Sequence, residues 1–308
     1  MSRYLFQRLV ATLFSLFAAT LIAFVASRFA PGDPIRLMVG DQNVSPQVVR
    51  QLQIQYGFDQ PLPLQYFYFL RNALVGDFGT SYYYIGKPVM EVIAPGVLVS
   101  LQWESIALLI AVTSALALGT ISAIKHNTWI DNAIMFFALS GISLPSFALA
   151  TFFIVIFSLQ LNLLPVAGLT TPAHFVLPCV TMAAQPAALL ARLLRASMLE
   201  VINQEYVTTA RAKGLRESVV IVRHALKNAL LPTLTVLGIM VGRILAGAFL
   251  IETVFSIPGI GRIGVQAVVH RDYPVILGIT VMLSVVFLFV TYIVDFLYGL
   301  LDPRIRYT

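Results

Sequence analysis

Long runs of apolar residues, separated by short polar segments, dominate this chain of 308 residues. Residues 9–27, 105–124 and 275–294 contain no Asp, Glu, Lys or Arg, and residues 132–191 are uncharged over a still longer stretch. A helix of about 20 apolar residues is long enough to cross the hydrocarbon core of a bilayer. The runs show no alternation with period two, so they predict transmembrane helices and not the strands of a barrel.

Six membrane-crossing helices are expected from these runs and the turns between them. The first run is longer than the core of a usual signal peptide and is followed by a rigid turn, Ala30–Pro34, which favours a retained helix over a cleaved leader. The short link Lys125–Asp131 predicts a tight hairpin between the second and third spans. The predicted spans cover residues 9–27, 97–124, 132–159, 175 into the basic segment that starts at 192, 229–251 and 275–300. The expected fold class is therefore an all-α polytopic membrane protein with six transmembrane helices.

The same pattern divides the chain into four predicted parts. Residues 1–29 are the N-terminal transmembrane helix, and residues 30–96 are an extracytoplasmic region. Residues 97–301 are a transmembrane domain with a cytoplasmic loop at 200–228, and residues 302–308 are a cytoplasmic tail.

Two helical segments are predicted inside the extracytoplasmic region, at about 46–56 and 61–74. Aromatic belts are typical of the membrane–water interface, which favours an interfacial cap on the first helix for the second segment. Direct contact with a transported substrate is the alternative. The aromatic residues of that segment are Tyr66, Phe67, Tyr68 and Phe69.

Composition and charge exclude other classes of protein. Only 11% of the residues are charged, whereas soluble domains carry about 25%. The formal net charge of +6 does not indicate nucleic-acid binding, because the basic residues flank apolar spans and form no aromatic-interleaved patch. With a cytoplasmic N-terminus, twelve of the 20 Lys and Arg residues fall in short cytoplasmic segments. The positive-inside rule therefore predicts that both termini are cytoplasmic.

The segment Glu205–Leu215 is the part of the sequence most informative about function. It reads as a short helix that Gly214 ends, since a glycine there can adopt the left-handed C-cap conformation. Arg211 and Lys213 lie in the last turn, where cations suit the helix dipole. A second helical segment, Glu217–Leu230, follows. Two short helices joined to membrane spans make a knob that fits a groove on a partner protein, and an ordinary basic loop is the alternative.

A resemblance that covers nearly the whole chain decides between these interpretations. Residues 205–232, EYVTTARAKGLRESVVIVRHALKNALLP, resemble the cytoplasmic coupling-loop motif of ATP-binding-cassette (ABC) importer permeases, and more narrowly the first permease subunit of the dipeptide/oligopeptide/nickel family. Thr208-Thr209-Ala210 stands where the wider superfamily has Glu-Ala-Ala, a departure that is usual in the peptide branch. Further matching segments, in matching order, are RYLFQRLV (3–10), APGDP (30–34), GDFGTS (76–81), SGISLPSFALA (140–150), ARLLRASMLEV (191–201), IETVFSIPGIGR (251–262), RDYPV (271–275) and DPRIRY (302–307).

The resemblance implies a type I importer permease (MetI-like) fold in the bacterial cytoplasmic (inner) membrane. It implies a homologous second permease, two cytoplasmic ABC ATPase subunits and an extracytoplasmic substrate-binding protein as partners, with a dipeptide or oligopeptide as cargo. The chain has no Gly-x-x-x-x-Gly-Lys-Ser/Thr phosphate loop. ATP and Mg²⁺ are therefore expected to be used by the ATPases, while this chain binds no cofactor and is no enzyme. The residues implied to contact the ATPases are Glu205, Tyr206, Thr209, Ala210, Arg211, Ala212, Lys213 and Gly214.

Ionisable and polar residues inside the spans are the candidates for the translocation pathway, because such groups usually face a cavity or a charged partner. The Arg243 guanidinium would attract a peptide carboxylate, and an interhelical clamp is the equal alternative. Asp295 is expected to be structural. The four histidines lie far apart in sequence, so no metal site is predicted. The candidate pathway residues are Arg243, Ser143, Ser140 and Glu104, with Ser146 beside the helix-breaking Pro145.

Other cargoes and other classes of protein stay open at this point. Nickel chelates, glutathione or oligosaccharides fit the same architecture, because permease motifs report the coupling and not the cargo. A secondary transporter working alone would be expected to carry several Asp, Glu or His residues at the midplane, and the sequence offers few. A membrane enzyme is disfavoured, since no nucleophile–base or metal constellation appears in one compartment.

Overall fold

The structure, a computed structural model, describes residues 2–29, 35, 45–246 and 248–301, which are almost entirely helical. Side chains are described for residues 9–29, 35, 45–241 and 248–293, so those of Arg243 and Asp295 lie outside the described residues. The helices are α1 (Ser2–Phe29), α2 (Pro46–Gln55), α3 (Leu62–Ala73), α4 (Val89–Ile124), α5 (Trp129–Ser143), α6 (Ser146–Phe153), α7 (Pro172–Ile202), α8 (Glu205–Ala212), α9 (Glu217–Val219), α10 (Lys227–Ala246), α11 (Phe249–Val254), α12 (Ile260–Val269) and α13 (Tyr273–Leu301). A π-helical stretch, Ile154–Gln160, continues α6, and another, Val220–Leu226, joins α9 to α10.

Five helices within the described residues are long and apolar enough to cross a membrane. They are α1, α4, α7, the continuous helix that runs from α9 into α10, and α13. A sixth crossing results if α5 and α6 are counted as one bent span. The predicted all-α architecture is confirmed, with five or six spans where six were expected.

The third predicted span is bent, which corrects the expectation of one continuous helix over residues 132–159. The axes of α5 and α6 differ by 110°. Pro145 explains the break, because proline has no N–H to donate and disfavours helical backbone at the residue before it. Leu144 accordingly has an extended conformation, with ψ at 129°.

Two other segments differ from the sequence prediction. The second span begins at Val89 and not near residue 97, so α4 has 36 residues. The segment between the last two predicted spans, residues 252–274, contains a helix, α12. The buried residues Ile260, Gly261 and Ala267 show that one face of α12 packs inside the protein, which is how an apolar loop segment avoids exposure.

The chain divides into two compact units, one made of residues 1–100 and 258–288 and the other of residues 101–257 and 289–308. The core of the first unit joins the start of α4 to α12 and α13. The buried core residues are Val89, Ile93, Ile260, Ala267, Val275 and Ile279.

In the same unit, the Asp272 carboxylate accepts hydrogen bonds from the Ser81 hydroxyl and from the Tyr82 N–H, the latter at 3.0 Å. Burial raises the pKa of the Tyr82 phenol to about 12.

Small residues line the contact between α4 and α7 in the second unit. Small side chains let two membrane helices approach closely, so that van der Waals packing holds them together. This contact fixes the position of α7, which leads directly into the candidate functional segment. The buried alanines of the contact are Ala111, Ala115, Ala183, Ala187 and Ala191.

Candidate functional site

A helical hairpin, defined here as residues 205–219 with α8, α9 and the turn between them, directly follows α7. Only Asn203 and Gln204 separate α7 from α8. Helix α8 ends at Ala212, and Gly214 has φ at +76°, so the predicted short helix and its glycine end are confirmed. A residue with a Cβ is strained in this left-handed conformation, which is why the turn requires glycine.

A small apolar core holds the two sides of the hairpin together. Val207 and Ala210 of α8 pack with Val220, and Val201 of α7 lies against them. Ala210 is only 5% exposed. Among the residues implied to contact the ATPases, Ala210 therefore faces the inside of the hairpin, where it sets the position of α8.

A second core fixes the base of the hairpin to the membrane helices. Leu194 and Met198 of α7 are fully buried and pack with Ile221 and Ala225 of the π-helical stretch. Ala123 of α4 belongs to the same cluster. Because close-packed interiors transmit displacements, a force on the hairpin reaches α7 and the start of α10.

The outer surface of the hairpin is polar. The Arg211 guanidinium forms an ion pair with Glu217, with Nη2 and Oε1 2.9 Å apart, and this carboxylate raises the pKa of Arg211 above its ordinary value. Asn228 donates a hydrogen bond of 2.8 Å from Nδ2 to the Tyr206 hydroxyl. The predicted contact residues that stay exposed are Glu205, Tyr206, Thr209, Arg211, Ala212, Lys213 and Gly214.

A buried ionic cluster joins α4, α5 and α7 close to the residues that seat the hairpin. Asp131 accepts two hydrogen bonds of 2.7 Å from the Arg195 guanidinium. It also accepts from the Ser122 hydroxyl and from the Asn127 N–H, the latter at 3.0 Å. Nothing in the sequence pairs Asp131 with Arg195, which lie 64 positions apart. The only signal was an acidic residue in the first turn of an apolar helix, which usually marks a buried partner.

A cavity of about 350 Å³ lies beside the break between α5 and α6. The Thr181 hydroxyl, on α7, lines it and is fully buried without a hydrogen-bond partner among the described residues. Gln185 also lines it and donates from Nε2 to the Leu144 carbonyl at 2.8 Å, one of the carbonyls that the break leaves without a helical donor. The remaining walls are mostly apolar, so a few polar groups face a space bounded by hydrocarbon.

Pro186 interrupts the hydrogen bonding of α7 beside the cavity. Both Pro186 and Met182 line it. Because proline has no N–H, the Met182 carbonyl lacks the donor that it would have in a regular helix. The sequence contained this signal, a proline inside a long apolar helix, but not the position of Pro186 next to the bend at Pro145.

The predicted pathway residues are not gathered at this cavity. The hydroxyls of Ser140 and Ser143 donate to carbonyls of their own helix, each at 2.9 Å. Glu104 is buried near the middle of α4 and does not line the cavity. Ser146, expected as a polar neighbour, does line it. The roles of Glu104, Ser140, Ser143 and Arg243 in the pathway stay predictions.

Glu104 lies in a buried polar cluster. It interacts electrostatically with Glu252, whose Oε1 accepts a hydrogen bond of 3.2 Å from Trp103 Nε1. The buried Cys179 thiol donates a hydrogen bond of 3.4 Å to the Trp103 carbonyl. Among the described residues, no three His, Cys, Asp and Glu side chains are grouped so that they could hold a metal ion.

Sequence comparison matches both halves of the chain to importer membrane subunits. Residues 115–307 match the family described as binding-protein-dependent transport system inner membrane component, and residues 1–92 match its N-terminal counterpart. The chain is 42% identical over 306 residues to the dipeptide transport system permease protein DppB of Bacillus subtilis, which covers 99% of this chain and 98% of that protein. It is 38% identical over 307 residues to the glutathione transport system permease protein GsiC of Escherichia coli K12, which covers 100% of both chains.

Structural comparison shows the same fold in solved transporters. A chain of the inward-facing MetNI methionine ABC transporter has a TM-score of 0.58 at 18% identity, covering 69% of this chain and 97% of that chain. An amino acid ABC transporter crystallised with histidines has a TM-score of 0.50 at 17% identity, covering 70% and 94%. At these identities the likeness concerns the fold alone. The chain therefore belongs to the family of binding-protein-dependent transport system inner membrane components: it is a multi-pass permease subunit of an ABC importer and is not itself an enzyme.

Proposed function

We propose that this chain and a homologous second permease together form the translocation pathway for a dipeptide or oligopeptide. Two cytoplasmic ABC ATPases drive the cycle with ATP and Mg²⁺, and an extracytoplasmic binding protein delivers the cargo. The observation that carries the proposal is the hairpin, whose exposed polar helix α8 rests on a buried base continuous with α7 and α10.

The hairpin is the contact through which the ATPases move this chain. Thr209 of α8 and Lys213, directly after this helix, are exposed, while Val207 holds the helix on its buried side. A short helix presented in this way fits a groove on the partner. Because the base includes Leu194 and Met198 of α7, closure of the ATPases shifts the membrane helices and does not merely bend the loop.

The Asp131–Arg195 pair transmits this shift to the bent span. Arg195 lies beside the base of the hairpin on α7, and Asp131 begins α5. Helix α5 has 15 residues and is therefore about 22 Å long. Its far end, Ser143, lies at the break next to the cavity. Movement of α7 thus reaches the cavity through one helix and one ion pair.

The cavity supplies part of the pathway in this proposal. A buried hydroxyl that lacks a partner, as Thr181 does, costs about 1–3 kcal/mol. When movement of the helices opens the buried Thr181 hydroxyl to the cavity, a peptide amide or carboxylate supplies the missing partner, while the apolar walls accept the peptide's side chain. Binding of this kind is modest, which suits a site that has to release its cargo.

Peptides are the proposed cargo because the similar permeases named above serve dipeptide and glutathione transport systems, and glutathione is a tripeptide. Glutathione itself, nickel chelates and oligosaccharides are the alternatives within the same architecture. They share the coupling hairpin and differ in what the binding protein and the pathway select.

Uptake by the complete transporter tests the proposal. With both permeases, the ATPases and the binding protein in liposomes, a dipeptide should accumulate only when ATP is supplied, whether or not an ionophore is present. Accumulation driven by an ion gradient without ATP would contradict the ABC mechanism. ATP-dependent uptake of a nickel chelate or an oligosaccharide, but of no peptide, would reject the cargo and leave the mechanism intact.

In this proposal both termini and the hairpin face the cytoplasm. The distribution of Lys and Arg supports this orientation. Single cysteines at Lys213 and Ile54, both exposed positions, allow a direct check in a C179A background. A membrane-impermeant maleimide should label I54C in intact cells and K213C only after permeabilisation, and the reverse pattern would contradict the orientation.

A further inference from the structure

Helix α3 packs along the side of the first transmembrane helix. The ring of Tyr66 contacts the rings of both Phe17 and Phe24 of α1, at centroid distances of 5.8 and 5.2 Å. Phe69, also on α3, contacts Phe24 at 5.9 Å. The aromatic face of α3 therefore lies against the flank of α1 and not above its end.

The depth of this contact follows from helix geometry. The apolar part of α1 is Leu9–Phe29, with 21 residues, which span about 30 Å and match the thickness of the hydrocarbon core. Thr20 lies near the middle of this run, about 13 Å from the level of Phe29. The Tyr66 ring lies between the levels of Phe17 and Phe24, so it reaches far into one leaflet.

The Tyr66 hydroxyl has hydrogen-bond partners on α1, as a polar group surrounded by hydrocarbon requires. It lies 2.9 Å from the Thr20 hydroxyl and 3.3 Å from the Phe17 carbonyl. Thr20 is itself buried. An unpaired hydroxyl in hydrocarbon costs several kcal/mol, whereas a tyrosine in water needs no intramolecular partner. The pairing suits a helix that is surrounded by lipid.

The opposite face of α3 is exposed and, except for Arg71 in its last turn, apolar. Phe67 is 60% exposed, and the neighbouring span α1 also exposes apolar residues such as Phe14 and Ile22. A water-facing helix of this composition would leave an apolar patch in solvent, which soluble surfaces rarely do. The exposed apolar residues on this face, called the α3 outer face below, are Leu64, Phe67 and Tyr68.

We propose that α3 is a re-entrant membrane helix and that lipid acyl chains cover the α3 outer face. With 12 residues, α3 is about 18 Å long and too short to cross the core, so it enters and leaves on the same side. Pro61 and Pro63 at its start lack N–H groups, which reduces the number of donors to be satisfied on entry. Arg71 at its other end reaches toward the headgroups by its flexible stem.

Spin-label accessibility in the assembled transporter, in liposomes, tests this proposal. A nitroxide is attached to F67C, and separately to Y68C, in a C179A background. Two matched positions calibrate the measurement: F14C, an exposed site on the lipid-facing span α1, and R50C, an exposed charged site on α2. The α3 labels should resemble F14C, with high accessibility to oxygen and low accessibility to a water-soluble nickel chelate.

Each of the other outcomes overturns the proposal. Chelate accessibility like that of R50C would place α3 in water. Low accessibility to both reagents, with oxygen accessibility regained when the second permease is left out, would show that a protein subunit and not lipid covers the α3 outer face. Uptake of peptide does not enter this readout, so the result is independent of the proposed cargo.

Discussion

The hairpin and the cavity beside the α5–α6 break are both built where a single residue interrupts a helix, but they treat polar groups in opposite ways. Gly214 turns the hairpin, and its polar groups pair with one another, as Arg211 does with Glu217. Pro145 bends the span at the cavity, where the Thr181 hydroxyl has no partner among the described residues. The hairpin is complete without a ligand, and the cavity is not.

We infer from this difference that the hairpin provides rigidity and the cavity provides affinity for the cargo. A coupling element has to keep its shape while it is pushed, which the apolar cores around Val207 and Met198 provide. A transport site has to gain interactions when cargo enters and lose them when it leaves. Four substitutions test this division, and their expected effects decrease in the order given.

The substitution Gly214→Val should have the largest effect. A β-branched residue at φ +76° costs about 1–3 kcal/mol of backbone strain, so α8 moves on its support and loses its fit to the ATPase. Peptide uptake by the assembled transporter should fall by more than about tenfold, since coupling energies are of the same size as this strain. Membrane insertion should be retained, as measured by the amount of chain in the membrane fraction.

Gly57→Val is the matched control for that substitution. Gly57 also has a positive φ, +67°, and an added Cβ would meet open space there. It lies just after the C-terminal end of α2 and far from the hairpin in sequence. Uptake should therefore survive. Equal losses of uptake for the two variants would mean that backbone strain at either glycine disables the transporter. That result would contradict a specific role of the hairpin in coupling.

Asp131→Ala should destabilise the support of the hairpin. It leaves the partly buried Arg195 guanidinium, 23% exposed, without the carboxylate that pairs with it. The loss of a charged hydrogen-bond partner at such a position costs about 1–3 kcal/mol of unfolding free energy. Thermal unfolding of the detergent-solubilised transporter measures the loss. The double variant D131A/R195A should lose less than the sum of the two single variants, and simple additivity would contradict a direct pair.

Thr181→Val should weaken transport without weakening the fold. The hydroxyl that it removes has no partner among the described residues, so stability should stay equal or rise slightly. The hydrogen bond to cargo is lost, and a net value of about 0.5–1.5 kcal/mol lowers uptake at limiting peptide about two- to tenfold.

Thr233→Val is the control for the cavity variant, because the buried Thr233 hydroxyl bonds the Ala229 carbonyl within its own helix. This variant should leave the peptide concentration for half-maximal uptake unchanged. If T181V and T233V behave alike in uptake, the cavity does not contact the cargo.

Arg211→Gln should have the smallest effect. The Arg211–Glu217 pair is exposed on the outer surface of the hairpin, and exposed pairs contribute little to stability. Thermal unfolding of the variant should match the parent, and any residual difference should vanish at high salt. A large, salt-independent loss of stability would mean that the polar surface, and not the apolar core, holds the hairpin together.

The sequence predicts those features of this molecule that depend on neighbours along the chain. Charge-free runs locate the spans, and Gly214 marks the end of α8, because hydrophobicity and backbone conformation are local properties. The break at Pro145 was signalled in the same way, although its 110° bend was not, since the angle depends on what packs on both sides.

Features built from distant residues could not be predicted. Asp131 and Arg195 lie on different helices, and neither residue indicates its partner. The sequence does not distinguish Thr181 from other threonines in apolar helices, because the missing hydrogen-bond partner is evident only in the folded protein. The contact of Tyr66 with Thr20 likewise depends on which face of α1 meets α3, and the sequence does not indicate this face.

Disulfide crosslinking between the hairpin and the ATPase subunits is the sharpest test of whether the ATPases move this chain through the hairpin. Cysteines at Thr209 and Lys213, both exposed, and at Ala210, which is buried, are compared in the assembled transporter during turnover. We expect crosslinks from the two exposed positions, none from the buried one, and loss of peptide uptake when the crosslink forms. Full uptake by a transporter whose exposed positions never reach an ATPase would contradict coupling through the hairpin.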